Sequence, residues 1–239
     1  MHRGAMTITV ITGANKGLGY ETARRLIESG HHVVVGSRDV ERGREAASSL
    51  GRGARFVQLD VTSDSSVDAA IADIAQHEGR IDVLINNAGI PGTYTPAHEL
   101  TAADATHVLE TNVVSIVRMT HAALPLLSGS TNPVIVNVSS GMGSFGRKVD
   151  GSLVGGSGLV MPLYSASKAA VTMLTTQYAA ALPGIRINAA DPGYTSTEFN
   201  GHRGTQTIEE GTDAIVELAT IGADGPTGQF RDRVGVVPW

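Results

Sequence analysis

Cysteine is absent from this chain of 239 residues. Its absence excludes disulfide bonds, a thiol nucleophile and a cysteine-ligated metal, and it fits a reducing compartment. The eight histidines show no metal-ligand spacing such as H-E-x-x-H, so we predict no metal site. No apolar run reaches the roughly 18 residues of a membrane-spanning helix, and residues 1–6 are too short and polar for a signal peptide. We expect a cytoplasmic protein that has no membrane partner.

Clusters of basic residues are also absent. Lys and Arg number 18 against 23 Asp and Glu, and they are scattered along the chain, so we predict no nucleic-acid partner. Aromatic residues make up only 4% of the chain and do not mark a pocket. The 41% of hydrophobic residues is enough for one large core, and the 29 glycines favour tight turns. We predict a single domain over residues 1–239, with residues 1–5 as a candidate N-terminal extension.

Short β-branched runs alternate with longer helical patterns along the whole chain. The predicted strands cover residues 8–11, 33–35, 55–59, 81–85, 134–138, 185–189 and 229–230. The predicted helices cover residues 18–28, 40–50, 66–77, 103–127, 164–182 and 208–221. This alternation predicts an α/β fold, a Rossmann-type doubly wound parallel sheet of about seven strands with helices on both faces. Ligands of such sheets bind beyond the carboxyl ends of the strands.

A glycine-rich turn follows the first strand. Gly13, Gly17 and Gly19 are spaced G-x-x-x-G-x-G, which differs from the G-x-G-x-x-G form of the general dinucleotide fingerprint. Glycines let the backbone approach a pyrophosphate closely, and the following helix offers free N–H groups. The turn therefore predicts a phosphate-binding site, although a tight turn without a ligand has the same composition.

Arg38 follows the second strand, where a basic residue suits the 2′-phosphate of NADP and a carboxylate suits the ribose of NAD. Its guanidinium can hold a phosphate with two N–H groups, and Lys16 can add a second charge. Asp39 lies one residue later and argues for the other cofactor. Alternatively, Arg38 and Asp39 cap the next helix.

Polar residues also follow the third and fourth strands. Asp60 is placed to accept a hydrogen bond from an adenine amino group, or to cap the following helix. The stretch 86–89 (NNAG) has the composition of an ordinary turn. Taken alone, neither feature distinguishes a ligand site from local structure.

Tyr164 and Lys168 lie four residues apart in a predicted helix, so their side chains share one face. A phenol with its ordinary pKa near 10 is a poor acid–base catalyst at neutral pH. A neighbouring ammonium favours the phenolate and lowers that pKa. This spacing therefore fits an acid–base pair, and it also fits two unrelated surface residues.

Six features occur together and in order over nearly the whole chain: TGANKGLG at 12–19, NNAG at 86–89, Asn112, Ser140, YSASK at 164–168, and DPG at 191–193 followed by Thr197. In this combination the chain resembles the short-chain dehydrogenase/reductase family in its single-domain form. The resemblance implies an oxidoreductase that transfers hydride from NADPH to an aldehyde or ketone. In the reverse direction it would oxidise a secondary alcohol.

The resemblance also implies roles for individual residues. Tyr164 is expected to be the general acid, Lys168 to lower its pKa and hold the nicotinamide ribose, Ser140 to orient the carbonyl, and Asn112 to hold a relay water. Ser140 is chosen over Ser139 because Gly143 follows it by three residues, as in the family's pattern. The residues expected to bind NADP are Gly13, Asn15, Lys16, Gly17, Leu18, Gly19, Arg38, Asp60, Val61, Asn87, Ala88, Gly89, Tyr164, Lys168, Pro192, Gly193, Thr195 and Thr197.

Three segments resemble the monomeric type of carbonyl reductase: SRDVERG at 37–43, IEEG at 208–211 and GQF at 228–230. The stretch between Ser140 and Tyr164 is longer than in most of the family but shorter than the insertion of that type. The sequence is therefore compatible with a homo-oligomer and with a monomer.

Residues 198–206 follow the expected nicotinamide segment, where a lid over the substrate would lie. A plain surface loop is the alternative. Two other functions also remain: an NAD-dependent alcohol dehydrogenase of the same fold, and a non-catalytic module that senses NADPH. The natural substrate is not predictable, because pocket-lining loops follow no fixed code.

Overall fold

The computed structural model describes residues 6–149 and 160–239 of the chain. Its centre is a seven-stranded parallel sheet in the order β3-β2-β1-β4-β5-β6-β7. The strands are β1 (Ile8–Thr12), β2 (His32–Ser37), β3 (Ala54–Gln58), β4 (Val83–Asn86), β5 (Val134–Val138), β6 (Arg186–Ala190) and β7 (Phe230–Arg231). The helices are α1 (Gly17–Glu28), α2 (Val40–Leu50), α3 (Asp64–His77), α4 (Ala102–Leu109), α5 (Ser115–Leu127), α6 (Gly146–Val149), α7 (Pro162–Ala181) and α8 (Ile208–Ala219). The predicted doubly wound α/β fold is confirmed.

The central strands are apolar on both faces because helices cover both sides of the sheet. Every residue of β1, β4 and β5 is buried. Alternate side chains of each strand point to opposite faces. Ile11 accordingly packs with side chains of α1, α2 and α8, whereas Val10 packs with those of α3, α5 and α7.

Most of the predicted element boundaries lie within two residues of the observed ones, and one prediction needs a correction. The helix predicted over residues 103–127 is interrupted by a π-helical turn, Glu110–Val114, that separates α4 from α5. Apolar spacing over this stretch predicts a helix, but it does not distinguish i→i+5 from i→i+4 backbone hydrogen bonds over five residues. The predicted N-terminal extension, residues 1–5, and much of the long stretch before Tyr164 lie outside the described residues.

The strand order reverses between β1 and β4, because the chain adds strands outward from β1 to β3 and then returns to the other side of β1. This switch point opens a crevice at the carboxyl ends of the strands. Within residues 6–149 and 160–239, no helix has the length and hydropathy required to cross a bilayer.

Candidate active site

A cavity of about 1060 Å³ occupies this crevice. Loops that follow β1 to β6 line it, and so do the start of α7 and the segment after β7. Every residue expected to bind the cofactor lines the cavity, and so do the expected catalytic residues Ser140, Tyr164 and Lys168. Asn112 does not line it. The fold therefore brings together residues that lie far apart in the sequence.

The glycine-rich turn opens the N-terminus of α1 toward the cavity. Lys16 is the N-cap residue, its side chain makes no capping hydrogen bond, and the first turn of α1 carries no acidic residue. The free N–H groups of this end, together with the positive end of the helix dipole, suit an anionic group. Gly13 and Gly17 have φ angles of +65° and +58°, a region that side chains disfavour. The turn thus fits a pyrophosphate.

The loop after β4 holds the glycine-rich turn in place. The amide of Asn87 donates to the carbonyls of Thr12 and Gly13 at 2.9 and 3.2 Å. The Thr12 hydroxyl accepts from the backbone N–H groups of Asn87 and Ala88 at 3.0 and 2.9 Å. A Cβ atom on Gly19 would lie only 2.6 Å from the Asn87 amide nitrogen. The NNAG stretch is therefore more than a turn, because it fixes the backbone that faces the pyrophosphate site.

Of the two neighbouring residues Arg38 and Asp39, one caps a helix and the other lines the cavity. Asp39 is the N-cap residue of α2, and its carboxylate accepts from the Arg42 N–H at 3.0 Å. Arg38 is exposed and lines the cavity. The carboxylate that argues for NAD thus caps α2, whereas Arg38 lies at the cavity wall.

Asp60 caps no helix, because Ser63 is the N-cap residue of α3. Its carboxylate accepts from the hydroxyl and N–H groups of Thr62 at 2.7 and 3.0 Å. These hydrogen bonds, with a smaller contribution from the charge of Arg38, lower the pKa of Asp60. Asp60 therefore presents an ionised acceptor at the cavity wall, as an adenine amino group requires.

Asn112 lies in the π-helical turn and is buried, with 2% of its surface exposed. Its amide donates to the Ile90 carbonyl at 2.9 Å and to the Ser167 hydroxyl at 3.0 Å. Its oxygen accepts from the Ile90 N–H at 2.8 Å. Both amide hydrogens are thus engaged, and the side chain joins the loop after β4 to α7. A π-helical turn inside an α-helix is frequent at functional sites.

Tyr164 is partly buried in the first turns of α7, and its surroundings change the sequence expectation about its acidity. Removal of the phenol from bulk water raises the pKa of Tyr164 well above its ordinary value. A hydrogen bond with Ser140 acts in the opposite direction, and the charge of Asp191 adds to the increase. Burial thus dominates, whereas the sequence predicts a lowered pKa. The phenol therefore keeps its proton at neutral pH, and a general acid must carry one.

Lys168 is buried one helical turn after Tyr164, with 5% of its surface exposed. Its ammonium donates to the Val138 carbonyl at 2.9 Å and lies 5.6 Å from the centre of the Tyr164 ring. Burial lowers the pKa of Lys168 to about 8, although the charge of Asp191 acts against this decrease. An ammonium has three donors, so two remain for groups in the cavity.

The two serines after β5 have different positions. Ser139 is buried and donates to the Lys168 carbonyl at 3.0 Å, so it anchors α7. Ser140 is partly exposed, and its hydroxyl accepts from the Met142 N–H at 3.2 Å. Only Ser140 forms a hydrogen bond with Tyr164. Ser139 thus has a structural partner in α7, whereas Ser140 remains available at the cavity.

Comparison with known proteins adds independent evidence. The model of a family described as short chain dehydrogenase matches residues 7–207. The chain belongs to the short-chain dehydrogenase/reductase family. A (+)-neomenthol dehydrogenase from Capsicum annuum is 31% identical to it over 94% of this chain and 95% of the relative. The protein is thus an oxidoreductase of a family that binds a nicotinamide cofactor.

Two solved structures of this family carry cofactors of different types. An NADPH-bound carbonyl reductase from chicken fatty liver is 26% identical, with a TM-score of 0.86 over 98% of this chain and 99% of the other. A 3-ketoacyl-(acyl-carrier-protein) reductase from Brucella melitensis, in complex with NADH, is 25% identical, with a TM-score of 0.83 over 95% and 96% of the two chains. Solved structures with this fold thus occur with either cofactor.

Sequence reasoning missed several residues that line the cavity of this short-chain dehydrogenase/reductase. They include Tyr94, Met142, Arg147, Met161, Tyr194, Asp232, Arg233 and Val234. Most lie in loops between the motifs of the family, where no residue pattern predicts a side chain that faces a ligand. The expected lid, residues 198–206, does border the cavity, and Phe199 lies 5.8 Å from Tyr164, measured between ring centres.

Proposed function

We propose that the protein is an NADPH-dependent carbonyl reductase that reduces an aldehyde or ketone, reversibly, to an alcohol. The observation that carries this proposal is the meeting of Ser140, Tyr164 and Lys168 in the same cavity as an uncapped, glycine-lined helix N-terminus. The first group has the chemistry to move a proton to a carbonyl oxygen, and the second has the chemistry to hold a dinucleotide.

The nicotinamide ring, when bound, supplies the hydride that reaches the carbonyl carbon. Ser140 and Tyr164 donate hydrogen bonds to the carbonyl oxygen and orient it. Tyr164 then gives its phenolic proton to that oxygen, so the product is the neutral alcohol, and the phenolate regains a proton from solvent. Lys168 stabilises the transient phenolate through its charge and holds the cofactor ribose with its remaining N–H groups. Because its pKa is raised, Tyr164 is protonated at neutral pH, the form that a general acid in the reductive step needs.

Asn112 serves this site as a positioning residue. Its three hydrogen bonds to Ile90 and Ser167 fix the loop after β4 against α7, which carries Tyr164 and Lys168. With both amide hydrogens engaged, its carboxamide oxygen is the part of the side chain that retains a lone pair for a relay water.

The preference for NADPH rests on Arg38. We expect Arg38→Met to weaken NADPH binding by about ten- to one-hundred-fold, because the variant lacks the guanidinium that donates charged hydrogen bonds to the 2′-phosphate. NADH affinity should change little, because NADH has no 2′-phosphate. Fluorescence titration with both cofactors measures the two affinities. Arg52→Met, at an exposed position away from the cavity, is the control. Equal effects on both cofactors would argue against a 2′-phosphate contact.

Lys16 is the second cation available to the 2′-phosphate, but its ammonium is paired with the carboxylate of Glu198. The two side chains form an exposed ion pair at 2.6 Å, and the hydrogen bond from Lys16 lowers the pKa of Glu198. We expect Glu198→Gln to tighten NADPH binding by about two- to fivefold, since the competing carboxylate is removed from an exposed pair. Titration at low and high salt provides the check, because screening should reduce the gain. Weaker binding in this variant would mean that Glu198 closes the cofactor site instead.

The function itself is tested by titration with NADPH and NADH, followed by a carbonyl panel of menthone, cyclohexanone and benzaldehyde under the tighter cofactor. Tight NADPH binding with reduction of one of these compounds supports the proposal. Tight binding without turnover over a broader panel would favour the non-catalytic sensing module. A preference for NADH would instead favour the NAD-dependent dehydrogenase and contradict the role of Arg38.

A further inference from the structure

A buried carboxylate lies beside the proton-transfer residues and belongs to none of the expected roles. Asp191 follows β6 directly, lines the cavity and has only 3% of its surface exposed. Its Oδ1 accepts from the Gly193 N–H at 2.9 Å, which shapes the turn that leads to Thr197. A charge buried to this degree needs a partner, because its desolvation is costly.

Arg147 provides that partner from α6, in the stretch between Ser140 and Tyr164. Its guanidinium donates to Asp191 Oδ2 at 2.7 Å and also to the carboxylate of Asp232 after β7. The backbone N–H of Arg147 donates to the Ser144 hydroxyl at 3.1 Å, which fixes the start of α6. One side chain thus connects three loops that border the cavity.

The register of the sheet brings Asp191, the acidic member of this pair, close to Lys168. The ammonium of Lys168 binds the Val138 carbonyl, and Val138 is paired with Ala190, the residue before Asp191. The charge of Asp191 raises the pKa of both Lys168 and Tyr164. Among the described residues, Ser140 and Tyr94 also affect the pKa of Tyr164.

We propose that Arg147, by neutralising the buried carboxylate of Asp191, sets the electrostatic field at Lys168 and Tyr164 and is a positioning residue for proton transfer. This inference rests on the proposed role of Tyr164 as the proton donor. With Arg147 in place, the field of Asp191 at the ammonium and the phenol is partly cancelled. Without it, the carboxylate would favour protonation of both groups.

The decisive measurement is the titration of Lys168 by NMR, which needs neither substrate nor cofactor. The sequence contains only three lysines, Lys16, Lys148 and Lys168, so spectra of protein labelled at the lysine ε-carbon are simple to interpret. Lys168→Met assigns the signal. The wild-type ammonium is expected to lose its proton as the pH rises through about 8.

Neutral substitutions at the two partners should shift this titration in opposite directions. Asp191→Asn should lower the pKa of Lys168 by about half to one unit, whereas Arg147→Met should raise it by a similar amount. Arg147→Lys should restore a titration near that of the wild type. Asp232→Asn removes a second carboxylate from Arg147 and leaves the Asp191 turn intact. Asp232→Asn should lower the pKa of Lys168 by less than Asp191→Asn does. It takes the place of Asp191→Asn in the test if Asp191→Asn does not fold.

A purely structural role predicts a different pattern. If the charge pair only holds the loops together, each substitution admits water, and the pKa of Lys168 rises toward its ordinary value near 10.4 in every variant. A rise in Asp191→Asn or Asp232→Asn, or no shift in either, would overturn the proposal. Exposed positions outside the cavity provide matched controls, Asp224→Asn and Arg52→Met, which should leave the titration unchanged.

The pH dependence of turnover then links this field to catalysis. With the fastest carbonyl substrate of the panel, the basic limb of kcat/KM should move to lower pH in Asp191→Asn and to higher pH in Arg147→Met. Shifts of the Lys168 titration without shifts of this limb would show that the field does not act on the reaction. Failure of the proposed function is distinguishable from this outcome, because no carbonyl of the panel would then be reduced, whereas the Lys168 titration needs no turnover.

Discussion

Tyr164→Phe should reduce the rate of carbonyl reduction by about 10²- to 10⁴-fold, the usual contribution of a positioned general acid. The substitution removes only the hydroxyl group, while the ring keeps its packing near Phe199. NADPH affinity should therefore stay close to that of the wild type. Absorbance of NADPH during turnover gives the rate, and a fluorescence titration gives the affinity.

A second phenol in the same cavity provides the control for this prediction. Tyr94 also lines the cavity, but 56% of its surface is exposed and no catalytic role is assigned to it. Tyr94→Phe should change turnover only slightly. If Tyr164→Phe retained more than about a tenth of the wild-type rate, Tyr164 would not be the general acid, and the proposed mechanism would fail.

Gly143→Ala should damage both stability and activity. A Cβ atom at this position would lie 2.5 Å from the backbone carbon of Lys168 and 2.6 Å from the backbone nitrogen of Ala169. Neither atom can rotate away, so the loop after Ser140 and α7 must separate. Overpacking of this kind costs about 1–3 kcal/mol of unfolding free energy.

The expected loss of activity from Gly143→Ala has a separate cause. Ser140 lies at one end of the displaced loop, and Lys168 lies at the contact with α7. A misplacement of reacting groups by about 1 Å can cost 10²-fold in rate, so turnover should fall by about ten- to one-hundred-fold. Urea denaturation gives the free energy of unfolding, and NADPH consumption gives the rate.

Gly184→Ala is the matched control, because its added Cβ would contact nothing within 4 Å. It should leave both stability and turnover near the wild-type values. Near-normal stability and turnover in Gly143→Ala would show that the loop adjusts freely, and that the close packing against α7 does not hold Ser140 in place.

The sequence by itself determined the architecture. The β-branched runs, separated by helical patterns, leave few alternatives to a parallel sheet covered on both faces, and the structure has that sheet. The motifs also located the cavity, because loops at the carboxyl ends of parallel strands must share one edge of the sheet. Spacing in a helix placed Tyr164 and Lys168 on one face, as a period of 3.6 residues requires.

Only the tertiary structure decided the roles of neighbouring residues. The sequence left Arg38 and Asp39 open between capping and cofactor binding, and the structure makes Asp39 the cap and turns Arg38 toward the cavity. It places the carboxamide of Asn112 against Ile90 and Ser167. Such choices depend on side-chain directions and on distant partners, which a local pattern does not contain.

The pKa of Tyr164 shows most clearly why a local sequence pattern does not determine the properties of this site. From the sequence, the charge of Lys168 predicts a lowered pKa, because the two residues are one helical turn apart. In the structure, burial raises the pKa, and Asp191 adds to the increase from another strand end. Helical spacing follows from local geometry, whereas desolvation and the field of Asp191, with its partner Arg147, depend on how the whole chain packs.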